Sequence, residues 1–284
     1  MASTGSTTAP GAGQAGRPLR ARVDLGRLVE NLGILRRTAG GLGLLPVVKA
    51  DAYGHGAVQV AGALAAAGVE GFCVATLPEA LELRQAGIAG RILVFGGVRG
   101  EDLPLAAELR LDLTVVSADH LRELAAGLPQ HPVGLHLKLD TGMGRSGLLL
   151  AELGACLDLL RRVQPWLQGL MGHFSSAEDP DPAVSDLQRQ RFLAAQASLR
   201  AAGIAAPMVH HANSAGCLRG FTDGDTHVRP GIALYGLADL AEAQPAGLRP
   251  ILELDAEAYR AVCVPAGTRS ATAAAMSPLD RSGW

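Results

Sequence analysis

Eight apolar, β-like runs recur along this chain, and most are followed by a stretch with apolar residues at helical spacing. The runs are Leu44 to Val48, Gly71 to Ala75, Arg91 to Phe95, Asp112 to Val116, Val133 to Leu139, Leu167 to Phe174, Pro207 to His211 and His227 to Leu234. Between them the spacing predicts helices over 57–67, 77–86, 118–126, 148–163 and 185–202. Gly68, Gly87 and Gly203 each stand where such a helix should stop. A strand cannot continue into a parallel neighbour without a crossover, so this alternation calls for a parallel sheet covered by helices. Eight units in roughly two hundred residues point to an α/β fold, a closed (β/α)8 barrel. A doubly wound open sheet competes, but no G-x-G-x-x-G follows the first strand.

The rest of the composition narrows the function classes. The net charge is −2, which gives no reason to expect a nucleic acid partner. No apolar run is long enough to span a bilayer. Met1 to Gly16 is rich in Ser, Thr, Ala, Gly and Pro and lacks the apolar stretch of a secretory leader. It reads as a disordered tail, and the expected compartment is the cytoplasm. Cys73, Cys156, Cys217 and Cys263 show no paired spacing, as suits reduced, mostly buried thiols and neither a disulfide frame nor a zinc site.

The chemistry-bearing residues fall at the carboxyl ends of the strands, where barrel sites gather. Val47-Val48-Lys49-Ala50-Asp51-Ala52-Tyr53-Gly54-His55-Gly56 leads a β-branched run into a lysine and a turn of small residues. A lysine held there can lose its proton by desolvation and attack an aldehyde; taken alone, it is equally a solvated lysine after a core strand. Lys138-Leu139-Asp140-Thr141-Gly142-Met143-Gly144-Arg145 ends the fifth strand, His173 the sixth, Asn213-Ser214 follows the seventh, and Arg229-Pro230-Gly231-Ile232 the eighth. Singly, His173 could be a core histidine and Asn213-Ser214 a helix cap. Five placements at one face are hard to obtain without a shared site.

These strings, in this order, resemble the alanine racemases, from about Arg22 to Thr268. The strings at Lys49 and at 138–145 are the most specific. The resemblance implies pyridoxal 5'-phosphate as cofactor and alanine as substrate, with no metal. It implies that Lys49 holds the cofactor and works as base or acid on one face of the substrate. Tyr53, Ser214, Gly231 and Ile232 would grip the cofactor phosphate, with Asn213 beside them. Arg229 would face the ring nitrogen and His173 would lie beside the ring. Arg145 would steer the substrate carboxylate. Lys138 corresponds to the lysine that some members carboxylate, and its alternative is an unmodified amine paired with Asp140 or a neighbour. Full-length members are homodimers that supply D-alanine for peptidoglycan.

The chain departs from the family near its end. The opposing acid–base is a tyrosine in a Gly-Tyr-Ala-Asp-Gly motif of a C-terminal β domain, and this sequence has only Tyr53, Tyr235 and Tyr259. The expected organisation is a disordered tail over 1–19, the cofactor barrel over 20–246, and a remnant of that β domain over 247–268. Within the remnant, Ile251 to Ala256 should form a strand, and Val262 to Val264 is a further apolar piece. After Thr268 the family continues Pro-Val-Ser-Tyr-Gly. The codons CCG GTC AGC TAC GGC, read with one C deleted, encode Arg-Ser-Ala-Thr and then, whatever base follows the final GC, Ala, the residues at 269–273. The stretch 269–284 therefore reads as a frame-shifted tail, and the chain as an alanine racemase impaired in turnover. Two other readings are a non-enzymatic barrel that binds pyridoxal phosphate for cofactor homeostasis, and a metal-dependent hydrolase using His173, His210, His211 and His227. The hydrolase has no ligand pair at an established spacing and leaves Lys49 without a purpose.

Overall fold

In a computed structural model, residues 19–238, 240 and 247–256 are described. The chain divides into two units, 23–253 and the two chain ends.

The larger unit begins with helix α1 (Leu25–Thr38), capped by the Asp24 carboxylate, which accepts the Arg27 N–H at 2.9 Å. Strand β2 (Gly43–Leu44) follows, then one helical turn of opposite hand at Lys49–Gly54, and α2 (Ala57–Ala66). Next come β3 (Gly71–Val74), α3 (Leu77–Gln85), β4 (Arg91–Val94), α4 (Leu103–Glu108), β5 (Asp112–Val115) and α5 (Ala118–Gly127). Strand β6 (Gly134–Asp140) carries a short flanking β7 (Leu148–Leu149) before α6 (Leu153–Val163). Strand β8 (Leu167–Met171), α7 (Ala183–Ala201), β9 (Met208–His210), α8 (Ser214–Leu218) and β10 (His227–Val228) complete the barrel elements.

The strands pair in parallel in the order β3-β4-β5-β6-β8-β9, and β10 pairs with β2. Backbone bonds close the circle. Thr226 N–H donates to Val209 O at 2.7 Å, and Gly43 and Leu45 donate to Thr226 and Val228 at 2.9 Å each. Val48 N–H then reaches Cys73 O at 2.9 Å on β3. The expected α/β barrel is therefore present, and its period-two alternation is explicit. Phe72, Val74, Ile92 and Val94 belong to the large core between strands and helices, while Cys73 and Leu93 join Leu45, Val47, Met171 and Met208 inside the cylinder.

Several boundaries differ from the sequence reading, among them the sixth run, which ends as a strand at Met171 and not Phe174. The first run breaks after Leu44 because Pro46 has no N–H to donate; only a bridge from Val47 to Cys73 resumes it. The eighth run stops at Val228, where Pro230 and Gly231 lead into a 3-10 turn at Ile232–Tyr235. The expected helix over 148–163 starts only at Leu153, because Leu148 and Leu149 pair beside Leu139 and Asp140. Gly68, Gly87 and Gly203 do follow their helices, at φ of 78°, 83° and 78°.

Of the chain ends, residues 19–22 and 254–256 are described. They belong to two paired strands, β1 (Leu19–Val23) and β11 (Leu252–Ala256), the second lying where the sequence placed a strand. Arg22 and Asp255 form an exposed ion pair at 3.4 Å. Residues 1–18 of the tail expected over 1–19, the apolar piece at 262–264 and the stretch after Thr268 lie outside the described residues, while Leu19 begins β1.

Candidate active site

A cavity of about 640 Å³ opens at the carboxyl ends of the barrel strands. Lys49, Tyr53, Lys138, Arg145, His173, Asn213, Ser214, Arg229, Gly231 and Ile232 all line it. These come from five separate strand exits, so the structure brings together every residue that the family resemblance nominated, but not His210, His211 or His227 of the hydrolase reading. Of the lining residues, four side chains are lysine or arginine and one, Glu178, is acidic. A space so lined favours an anion.

Lys49 stands at the entry to the reversed turn. Ala50, Asp51, Ala52 and Tyr53 have φ between 50° and 56°, the left-handed region. Each such L-residue costs about 1–2 kcal/mol, so this geometry persists only under restraint. The turn sets the Lys49 amine 5.7 Å from the centre of the Tyr53 ring. Tyr53 in turn leans on Tyr235, with ring centres 5.1 Å apart. Tyr235 is anchored by its hydroxyl, which donates to Val47 O at 2.9 Å.

One end of the cavity is built for close approach. A Cβ on Gly231 would come within 2.6 Å of Tyr53 Oη, so only glycine fits there. Ser214 Oγ accepts the N–H groups of Gly231 at 2.9 Å and Ala233 at 3.3 Å. Asn213 N-caps α8, its Oδ1 accepting the Gly216 N–H at 2.9 Å.

Arg229 is 2% exposed and is the largest of the fully buried side chains. Its Nη2 donates to Gly172 O at 2.7 Å, to His211 O at 3.1 Å and to His173 Nδ1 at 3.3 Å. Its Nη1 donates to His210 Nδ1 and to the His210 carbonyl. Its Nε is buried with no partner among the described residues. A buried donor left unpaired costs about 1–3 kcal/mol, which makes it a place where a ligand acceptor belongs. Burial, then the neighbouring Arg229 cation, hold His173 well below the usual histidine range, so it is a neutral acceptor here.

A buried chain of hydrogen bonds runs away from Arg229. His210 Nε2 lies 2.8 Å from His136 Nδ1, and His136 Nε2 lies 3.0 Å from the Asp112 carboxylate, which also pairs with Arg91. Gly169 makes room for it, since a Cβ there would overlap the His136 ring. The sequence reading gave His136 no role and missed Asp112. The available signal was position: His136 and Lys138 are two apart on one strand, so both face into the barrel.

Lys138 is buried, and its Nζ donates to Ser146 O at 2.8 Å and Ser146 Oγ at 2.6 Å. Its neighbour is therefore Ser146; the Asp140 carboxylate instead accepts the Gly142 and Gly144 N–H groups at 2.9 and 3.1 Å. Burial, then Arg145, push the Lys138 amine down to about 8. Arg145 is exposed at the rim and makes no hydrogen bond or ion pair with a described residue. Of the histidines in the hydrolase reading, His173 and His210 meet Arg229 and His227 Nδ1 lies 2.8 Å from Thr226 Oγ1, while His211 Nε2 is buried without a partner; among the described residues no cluster of three His, Cys, Asp or Glu is placed to hold a metal. No described helix is long and apolar enough to cross a membrane.

A barrel with a lysine and a tyrosine at its first strand exit, a serine and a glycine at its last two that meet that tyrosine, and a buried arginine donor left open has the build of a pyridoxal-phosphate-dependent barrel enzyme. The sequence model for the alanine racemase N-terminal domain matches residues 23–239. The chain belongs to the alanine racemase family. It is 39% identical over 280 aligned residues to the alanine racemase of Beutenbergia cavernae, covering 92% of this chain and 74% of that one. It is 36% identical over 238 residues to that of Mycolicibacterium smegmatis, covering 82% and 61%. The crystal structure of alanine racemase from Streptomyces lavendulae superposes with a TM-score of 0.79 at 33% identity, covering 85% of this chain and 65% of that one. The chain thus spans about three fifths to three quarters of the length of these relatives. The family uses pyridoxal 5'-phosphate.

Proposed function

We propose that this chain forms the cofactor-bearing half of an alanine racemase site, which interconverts L- and D-alanine for D-alanine supply in the cytoplasm. Bound pyridoxal phosphate supplies the electron withdrawal that loosens the α-proton of an amino acid. Lys49 holds the cofactor aldehyde, and its amine, once free, moves the α-proton on one face. Tyr53, Ser214, Gly231 and Ile232, with Asn213 beside them, hold the phosphate. Arg229 meets the ring nitrogen with its open Nε. Because a guanidinium keeps its proton and cannot accept one, Arg229 would offer that nitrogen a hydrogen bond and no proton. Arg145, free at the rim, takes the substrate carboxylate, and His173 lies beside the ring.

Lys138 is proposed to carry a carboxylate. An amine pushed down to about 8 is partly neutral near neutral pH. It can therefore add through Nζ to the carbon of carbon dioxide, releasing one proton to water, and the resulting anion would face Arg145.

Racemisation also needs a proton carrier on the opposite face. Tyr53, held in the phosphate cradle, is not free to serve there. In the family the second carrier comes from a dimer partner.

The observation that carries this reading is the convergence of five strand exits on one basic cavity with an unpaired Arg229 Nε. The test is borohydride reduction of the protein after adding pyridoxal phosphate, followed by peptide mass spectrometry. The expected mass gain falls on Lys49 and disappears in Lys49→Ala; an adduct on Lys138 alone, the one other lysine of the sequence, overturns the reading.

A further inference from the structure

Four successive left-handed residues do not hold themselves, so the restraint on the Lys49 turn has to come from its neighbours. Asp51 Oδ1 accepts the Ala57 N–H at 2.6 Å and ties the middle of the turn to the start of α2. Tyr53, its ring tilted against Tyr235, holds its end. The peptide N–H that directly follows Lys49, that of Ala50, goes to Glu79 Oε1 at 2.8 Å. The other oxygen of the same carboxylate accepts the Ala75 N–H at 2.6 Å and the Thr76 N–H at 3.1 Å.

Glu79 has an ordinary duty at this place. With Thr76 it forms the capping box of α3, in which Thr76 Oγ1 receives the Glu79 N–H at 3.4 Å. That duty uses Oε2 alone. It leaves unexplained why Oε1 reaches across to Ala50, in a separate strand exit. A carboxylate has two oxygens in fixed relation, and here each serves one strand exit. The backbone beside Lys49 therefore cannot turn without breaking its bond to the carboxylate that also holds Ala75, a residue that lines the cavity.

We infer that Glu79 is a positioning residue. Its half-buried carboxylate latches the reversed turn to the exit of β3 and so fixes the direction in which Lys49 presents its amine. The consequence for the cofactor rests on the function proposed above; the latch itself does not.

The test compares Glu79→Gln with Thr76→Ala in the full chain. A glutamine offers one carbonyl oxygen and an NH2, so it cannot accept at both exits, whereas Thr76→Ala breaks the helix cap and leaves Ala50 bonded. Hydrogen–deuterium exchange without cofactor is read by mass spectrometry. In Glu79→Gln, exchange over 50–56 should rise about tenfold, the effect of losing a charge-assisted hydrogen bond. In Thr76→Ala the rise should fall on 77–85 and spare 50–56. Pyridoxal phosphate is then titrated and trapped with borohydride. Half-labelling of Lys49 should need about ten times more cofactor in Glu79→Gln, in proportion to the loosened turn, and no more in Thr76→Ala. Unchanged exchange over 50–56 in Glu79→Gln, or the same pattern in both variants, overturns the latch. Failure of the unaltered protein to label Lys49, with the exchange pattern intact, overturns the cofactor reading and leaves the latch standing. Should Glu79→Gln not fold, Glu79→Asp keeps the charge but is one methylene too short for both exits, and gives the same readout.

Discussion

His136 and His210 meet edge to edge at 2.8 Å inside the barrel, Nδ1 of the first against Nε2 of the second. Their protons are assigned by what lies at either end. A carboxylate only accepts, so His136 Nε2 carries a proton toward Asp112. His136 Nδ1 then accepts from His210 Nε2, and His210 Nδ1 accepts from Arg229. The negative charge of Asp112 is thereby relayed to a buried guanidinium through two neutral rings. Replacing His136 with Phe, similar in bulk but without nitrogens, strands a donor and an acceptor. The expected loss is about 2–3 kcal/mol of stability, measured by chemical denaturation, together with a displaced absorption maximum of bound pyridoxal phosphate.

Acid should weaken the fold through the same interior. Burial, aided by Arg229, lowers His210 and His173 well below the usual range and His211 to about 3. The unfolded chain takes up these protons near 6.5, while the folded chain refuses them until far lower pH. Their contribution is therefore complete above pH 6.5 and declines as pH falls below it. The decline is on the order of 1 kcal/mol per histidine for each pH unit. Asp225 acts oppositely: burial raises it to about 6, so from the ordinary 3.8 up to there it favours the folded state less as pH rises. With several histidines against one aspartate, the urea midpoint should fall from pH 6.5 to 5, and more steeply in Asp225→Asn.

Gly231→Ala should cost about 1–3 kcal/mol, because the new methyl meets Tyr53 Oη at 2.6 Å. Adding Tyr53→Phe removes that oxygen and leaves ring contacts of 3.3 and 3.5 Å, which are tolerable. The double variant should regain stability by thermal melting. It should not regain affinity for pyridoxal phosphate, since the phosphate end would have lost a hydroxyl.

Asn31 on α1 should be sensitive despite its distance from the cavity. Its Nδ2 donates to Leu234 O at 3.0 Å and Arg249 O at 2.9 Å, and its Oδ1 accepts the Arg249 N–H at 3.1 Å. Asn31→Ala leaves these backbone groups unserved and should cost about 2–3 kcal/mol by denaturant titration.

Much of this was legible in the residues themselves. The runs at Gly71, Arg91 and Asp112 became strands within a residue of their expected ends, because β-branched and leucine-rich segments buried on both faces leave little else to form. The strand exits that bear Lys49, His173, Ser214 and Arg229 converge because a closed barrel points all such exits one way. What stayed hidden was tertiary. Helix α1 precedes the first barrel strand, so the eightfold alternation does not demand it, although Leu28, Leu32 and Leu35 share its buried face. The Asp112–His136–His210 chain joins residues far apart in sequence, and Glu79 reads as an ordinary cap until its second oxygen is traced. The handedness of the Lys49 turn had no sequence signal at all, for Ala50 and Ala52 are good formers of the ordinary helix.

That handedness has a chemical corollary. Backbone angles that strain an L-amino acid are the resting angles of its mirror image. A chain assembled by ligation with D-alanine at position 50 should hold the segment beside Lys49 more comfortably than the ribosomal product does. A machine proposed to erase the difference between two enantiomers thus presents its amine on a stretch of chain that would itself be better built from the less common one.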